Sequence, residues 1–222
     1  KKIGENDTGL NTGGMGSISN VKIVDEKYLT HIKEKIKNFI IKTKYKGILY
    51  TGLIVENPNS NNPKIYVLEF NCRLGDPETQ SVLQHFEPKV LSLIFEYISS
   101  TRLSCIKKDI EKMLSNDKNM YLTFVLSHNL YPEKKANIPF NIDLDNIYKT
   151  VNSYLYNPKI YTSSVNMDEK NKYTSVGGRV LSITANWNKY ISNMSSNYNL
   201  NYKQSLKTFY NFNNCLSKIS YD

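Results

Sequence analysis

An α+β fold is predicted for this chain by three observations. Residues 26–46 place apolar side chains at helical spacing; residues 48–55 and 64–70 read as two strands joined by a turn; and residues 120–128 and 180–184 read as further strands. With 222 residues, of which 40% are hydrophobic and 12% aromatic, the composition is that of a globular protein with room for one large or two small domains.

In the first helical segment the spacing of Tyr28, Leu29, Ile32, Ile36, Phe39 and Ile40 leaves Lys33, Lys35 and Lys37 on a solvated face, and Gly47 is its expected end. His31 on the same segment reads as a surface residue. The strand from Ile48 to Val55 is followed by the turn Asn57 to Pro63, so Lys64 to Phe70 returns as the second strand of a hairpin. Beyond Pro77, an apolar pattern over 78–99 is interrupted at Pro88, which predicts a short helix and then a longer one. His85, near the interruption, is expected to be structural. The polar stretch 101–119 contains a predicted helix at 107–115 and marks a domain boundary. After the strand at 120–128, short β-like pieces are expected at Ile147-Tyr148, Tyr154 and Ile160-Tyr161. In the tail, a helix is expected at 203–215 and a strand-like piece at 218–221.

Lys and Arg total 29 against 20 for Asp and Glu, giving a net charge of +9. The surplus lysines are scattered among asparagine and isoleucine, and no aromatic-basic repeat suggests a nucleic-acid face. Cys72, Cys105 and Cys215 form no close pair, which argues against a zinc site or a disulfide framework and fits a reduced, cytoplasmic setting. No apolar run is long enough to span a bilayer, and the first residues lack the apolar core of a signal peptide.

Three stretches carry chemistry. In 66–80, YVLEFNCRLGDPETQ, Tyr66, Val67 and Leu68 read as the end of a buried strand. Period two then puts Glu69, Asn71 and Arg73 on one face and Phe70 and packed Cys72 on the other. A carboxylate and an amide oxygen suit Mg²⁺, which keeps water or phosphate oxygens in its shell; beside an arginine they describe a metal-bound polyphosphate or acyl phosphate site. The alternative is a polar strand face that meets solvent. In 4–16, GENDTGLNTGGMG, glycines at 9, 13, 14 and 16 can bring backbone N–H groups close to an anion, or can simply make a flexible surface loop. In 175–185, SVGGRVLSITA, Gly177-Gly178 is a tight turn and Arg179 either serves a site or satisfies a carbonyl.

In this order the three stretches resemble phosphoribosylamine–glycine ligase, also called glycinamide ribonucleotide synthetase, of the ATP-grasp superfamily. SHNLYPEKKANI is similar to the start of that family's C-terminal domain. The resemblance implies the C-terminal part of an ATP-grasp domain over 1–110, followed by a small, truncated mixed α/β C-terminal domain over 111–222. It implies ATP-dependent ligation of glycine to 5-phosphoribosylamine through glycyl phosphate, in purine biosynthesis, with Mg²⁺ or Mn²⁺ as cofactor. Glu69 and Asn71 would hold the metal, and Arg73 would orient a carboxylate or phosphate. Asp7 could meet the glycine ammonium. Asn11, Thr12, Gly13, Gly14, Met15 and Gly16 would line the substrate site, and Gly75, Asp76 and Pro77 would shape the loop beside the metal. Glu78 is a weaker candidate for contact or a helix cap.

The chain departs from the family at Leu10, where proline is usual, and at Leu130-Tyr131-Pro132 and Thr162-Ser163-Ser164. Relative to the family it is expected to be a fragment that lacks the N-terminal substrate-binding and adenine-binding parts, and to be inactive alone. Small-molecule substrates are the expected partners, with neither nucleic acid nor membrane. Fusion of the parent to other purine enzymes is left open. The other readings are a different ATP-grasp ligase and a non-catalytic remnant or scaffold segment.

Overall fold

The computed structural model describes residues 2–4, 6, 8–21, 25–58, 60–99, 108, 117–128, 130–133 and 139–189. In chain order the elements are β1 (Gly16–Ile18), α1 (Glu26–Thr43), β2 (Tyr50–Glu56), β3 (Lys64–Asn71), α2 (Glu78–Val82), a 3-10 turn (Leu83–His85), α3 (Pro88–Ser99) and β4 (Tyr121–Ser127). There follow β5 (Asn141–Ile142), α4 (Leu144–Tyr154), β6 (Lys159–Thr162), β7 (Val165–Met167), β8 (Tyr173–Ser175) and β9 (Arg179–Asn186). Helices and strands are mixed, in agreement with the α+β expectation. Apart from Lys108, the helix expected at 107–115 lies outside the described residues, as do the elements expected at 203–215 and 218–221.

Two compact units are formed, neither contiguous in sequence. The first comprises Lys1–Ser19, Asp76–His85 and Asn119–Asp222; the second comprises Asn20–Gly75 and Phe86–Lys118.

The first unit is built on an antiparallel sheet of order β1-β4-β9-β6, beside a three-stranded sheet of order β5-β8-β7. Strand β9 is central and almost wholly buried, because both of its faces are covered. Leu181, Ile183 and Ala185 join Ile147, Val151 and Leu155 of the α4 region in one apolar cluster. On the alternate face Thr184 Oγ1 lies 2.8 Å from Thr123 Oγ1, and α2 packs on β4 and β9. Period-two alternation thus gives β9 one apolar and one hydroxyl-bearing face.

The expectation of β-like pieces at Ile147-Tyr148 and Tyr154 is corrected: these residues lie in α4. Asp143 caps the helix, its Oδ1 accepting the Asn146 N–H at 2.9 Å. Ile147, Val151 and Leu155, four apart, are all buried. Burial of that stripe outweighs the strand preference of isoleucine, valine and tyrosine. Strands β1, β7 and β8, three residues each, were not expected from the pattern because so few residues carry too little alternation to read.

In the second unit β2 and β3 pair as the expected antiparallel hairpin, with a register shift between Gly52 and Leu53. Helix α1 stops at Thr43, earlier than the expected end at Gly47. Lys44 adopts a left-handed conformation, φ 53°, and returns its N–H to the Ile40 and Ile41 carbonyls. Helix α3 begins at Pro88, as the interruption predicted, since a proline at the first helical turn loses no hydrogen bond. Phe39 of α1 stacks on Phe70 of β3 with ring centroids 6.3 Å apart.

The reading of residues 66–68 as a buried strand is corrected. Tyr66, Val67, Leu68 and Phe70 are all exposed, Leu68 to 62%, because a two-stranded ribbon within this unit leaves much of its surface uncovered. Cys72 is likewise exposed rather than packed. It faces the Tyr45 hydroxyl, whose pKa is raised above its ordinary value by desolvation first and by the thiol second.

Candidate functional site

The residues singled out by sequence fall into two groups, one in each compact unit. In the second unit, Glu69 and Asn71 stand two apart on β3, and so on one face of the strand. The strand ends at Asn71, so Arg73 lies past it in a bend and is not part of the strand alternation. Glu69 pairs across the hairpin with Gly52, where a Cβ would come 3.1 Å from Glu69 Cγ. The missing side chain of Gly52 leaves the space that Glu69 occupies.

Among the described residues, neither the Glu69 carboxylate nor the Asn71 amide has a hydrogen-bond or ion-pair partner. Arg73 gives one hydrogen bond, Nη1 to the Leu74 carbonyl at 3.0 Å, and is otherwise exposed. Two hard oxygen donors with free lone pairs fit a divalent cation that draws its remaining ligands from water or phosphate. Among the described residues no group of three or more His, Cys, Asp or Glu side chains is assembled.

In the first unit residues 8–15 of the glycine-rich stretch form a loop leading into β1. Lys2 bridges to Asn11, Thr12 Oγ1 accepts the Gly14 N–H at 3.2 Å, and Met15 O accepts the Val125 N–H at 3.0 Å. Gly16 pairs with Phe124 in the sheet. The Gly13 N–H donates to Tyr131 Oη at 2.8 Å. The amides of Gly13 and Gly14 are therefore engaged within the protein rather than offered to an anion. At Gly13 a Cβ would meet the Arg179 guanidinium at 3.2 Å, and at Gly16 it would meet the Thr123 carbonyl oxygen at 2.8 Å. These two glycines allow close packing of the loop on its neighbours.

Asp76 and Pro77 belong to the same unit. Both carboxylate oxygens of Asp76 are occupied: Oδ2 by Arg179 Nη2 at 2.8 Å and Oδ1 by Gln80 Nε2 at 2.8 Å. Pro77 is fully buried, and its carbonyl accepts from Ser17 Oγ at 2.9 Å. Ser17 Oγ also meets Ser81 Oγ at 2.9 Å, tying β1 to α2. Gly75 lies at the end of the second unit's first segment, and Asp7 lies outside the described residues. Glu78 opens α2, where its charge suits the helix N-terminus.

His85 Nε2 lies 2.7 Å from Ser19 Oγ, and its ring meets Tyr121 edge-on. Sequence reasoning did not assemble Arg179, Gln80 and Tyr131 around the loop. The available signals were weak ones: a double glycine before an arginine, and a glutamine one helical turn after Asp76.

Among the described residues no helix is long and apolar enough to cross a membrane. Residues 1–79 match the family model described as phosphoribosylglycinamide synthetase, ATP-grasp (A) domain. The chain is 33% identical over 193 residues to phosphoribosylamine–glycine ligase of Haemophilus influenzae, covering 83% of this chain and 40% of that protein. It is 33% identical over 218 residues to the Leptospira interrogans ligase, covering 95% of this chain and 46% of that one. The chain thus spans somewhat under half the length of these curated relatives. The crystal structure of phosphoribosylamine–glycine ligase from Thermotoga maritima shares the fold, with a TM-score of 0.57 at 23% identity over 84% of this chain and 42% of that one.

Proposed function

We propose that this chain belongs, in the part it spans, to the phosphoribosylamine–glycine ligase family and supplies the metal-holding strand and glycine-rich loop of an ATP-dependent ligase joining glycine to 5-phosphoribosylamine. The observation that carries the reading is the pair Glu69 and Asn71, two oxygen donors on one strand face that have no partner among the described residues, within a region that matches the ATP-grasp family model. The family implies ATP and a divalent metal, and Mg²⁺ or Mn²⁺ fits this donor set. Bound there, the cation would offset the negative charge of the ATP phosphates.

In the reaction the glycine carboxylate attacks the γ-phosphorus of ATP, giving glycyl phosphate and ADP. The amine of phosphoribosylamine then displaces phosphate and forms the amide. Glu69 and Asn71 would hold the cation, and Arg73 would steady an anionic oxygen of substrate or phosphate. By the family resemblance the loop 11–16 would line a substrate site and Asp7 would meet the glycine ammonium. Such a site works by positioning and electrostatics, so it needs no covalent nucleophile. In this reading residues 1–110 belong to the ATP-grasp domain and 111–222 to the domain after it, in a cytoplasmic enzyme of purine synthesis.

The test is an assay of the complete gene product that carries this sequence, with ATP, glycine, phosphoribosylamine and Mg²⁺. Formation of glycinamide ribonucleotide and ADP in equal amounts is expected. Glu69→Gln should lower kcat/KM by about 100-fold or more, the scale of losing one preorganised charge-stabilising group, while leaving the melting temperature unchanged. ATP turnover that does not depend on glycine, or a Glu69→Gln variant as active as the parent, would overturn the reading.

A further inference from the structure

We infer that Arg179 is a positioning residue that fixes the glycine-rich loop 11–16 against the turn at Asp76. Its guanidinium gathers acceptors from two separate chain segments. Nη2 donates to Asp76 Oδ2 at 2.8 Å, while Nη1 points to the Asp76 carbonyl at 2.9 Å and the Gly14 and Gly13 carbonyls at 3.3 and 3.4 Å. The side chain is 21% exposed, so it is mostly withdrawn from water. Three backbone carbonyls and a carboxylate around one planar cation form a cluster that a lysine, with a single nitrogen, cannot reproduce.

The loop is shaped to receive this group. A Cβ at Gly13 would stand 3.2 Å from Arg179 Cζ and Nη2 and 3.4 Å from Tyr131 Oη. Glycine at this position therefore lets the backbone close on the guanidinium on one side while its N–H donates to Tyr131. Asp76 is held in turn: Gln80 Nε2 takes its second oxygen at 2.8 Å and also reaches Ser182 Oγ at 3.4 Å. Ser182 and Arg179 both belong to β9, the buried central strand. The rigid sheet is thereby connected to the loop through Arg179 and, by Gln80, to the aspartate that Arg179 binds. Asp76 acts as the anchor of this latch.

The part of the inference that concerns catalysis rests on the proposed ligase reading. If the loop lines the substrate site, releasing it affects capture of substrate more than the chemical step. The experiment compares the complete gene product with its Arg179→Lys and Arg179→Met variants by amide hydrogen exchange and by steady-state kinetics. Exchange in residues 11–16 is expected to quicken by about ten-fold or more in both variants, while β4 and the interior of β9 keep their protection. KM for glycine is expected to rise by about ten-fold with kcat within about three-fold, the signature of lost ground-state positioning. Unchanged exchange at 11–16 in both variants would overturn the latch. So would loosening of β4 and β9 together with the loop, or a lysine variant that behaves like the parent. Absence of glycine-dependent product in the unmutated protein would count against the ligase reading alone, since the exchange comparison decides the latch without it.

Discussion

At the residue scale, the glycines of the NTGGMG stretch illustrate how one residue type serves different physical ends. A glycine-rich loop suggests amides facing an anion, yet the Gly13 and Gly14 N–H groups are taken by Tyr131 and Thr12. What Gly16 provides is the absence of a side chain, since its Cβ would lie 2.8 Å from the Thr123 carbonyl oxygen in the neighbouring strand. Backbone on the β4 side cannot yield as a flexible side-chain tip would. Gly16→Ala is therefore expected to destabilise the protein by about 1–3 kcal/mol through overpacking, read as a lower denaturation midpoint with an unchanged m-value. At Glu69 and Asn71, by contrast, the two-residue period places both side chains on one face of β3 as the sequence indicates, whereas Arg73 lies past the strand end and outside that alternation.

At the scale of the element, α4 shows where pattern reading fell short. LDNIYKTVNSY is rich in β-branched and aromatic residues, and a propensity view favours strand. The helix forms because Asp143 satisfies an N-terminal amide and because one stripe meets a core in which Val151 is 0% exposed. The two contributions can be separated by mutation. Asp143→Ala should cost about 1 kcal/mol, the usual worth of an N-cap, whereas Ile147→Ala should cost about 2–5 kcal/mol by leaving a cavity. Chemical denaturation of the two variants checks the order, and a larger loss at Asp143 would assign the helix to its cap rather than to its buried face. The hairpin β2–β3 was legible because its turn, NPNSNNP, is chemically unambiguous and its strands are long.

For the molecule as a whole, the two compact units differ in how much they bury. Of the buried hydrophobic residues among those described, Val90 alone lies in the second unit; the rest lie in the first. Apolar burial is the main favourable term in folding, so local stability should follow this division. Native-state hydrogen exchange is expected to show β4 and β9 opening only with global unfolding, and β2–β3 opening at a free energy lower by several kcal/mol. Equal protection across the hairpin and the β4–β9 pair would refute that ordering. Within the hairpin, substitutions such as Leu68→Lys should change stability by less than about 0.5 kcal/mol, because a side chain 62% exposed has little burial to lose.

The sequence by itself determined the mixed fold, the hairpin and the long helix. Each of these rests on local chemistry: a 3.6-residue or two-residue period, a proline or a turn. Only the tertiary structure decided that Lys1–Ser19 and Asp76–His85 cluster with the C-terminal half, and that Arg179 meets Gly13, Gly14 and Asp76. Contacts across 103 to 166 positions of sequence leave no periodic trace in the chain. They arise when the sheet forms and brings distant carbonyls and a carboxylate within reach of one guanidinium.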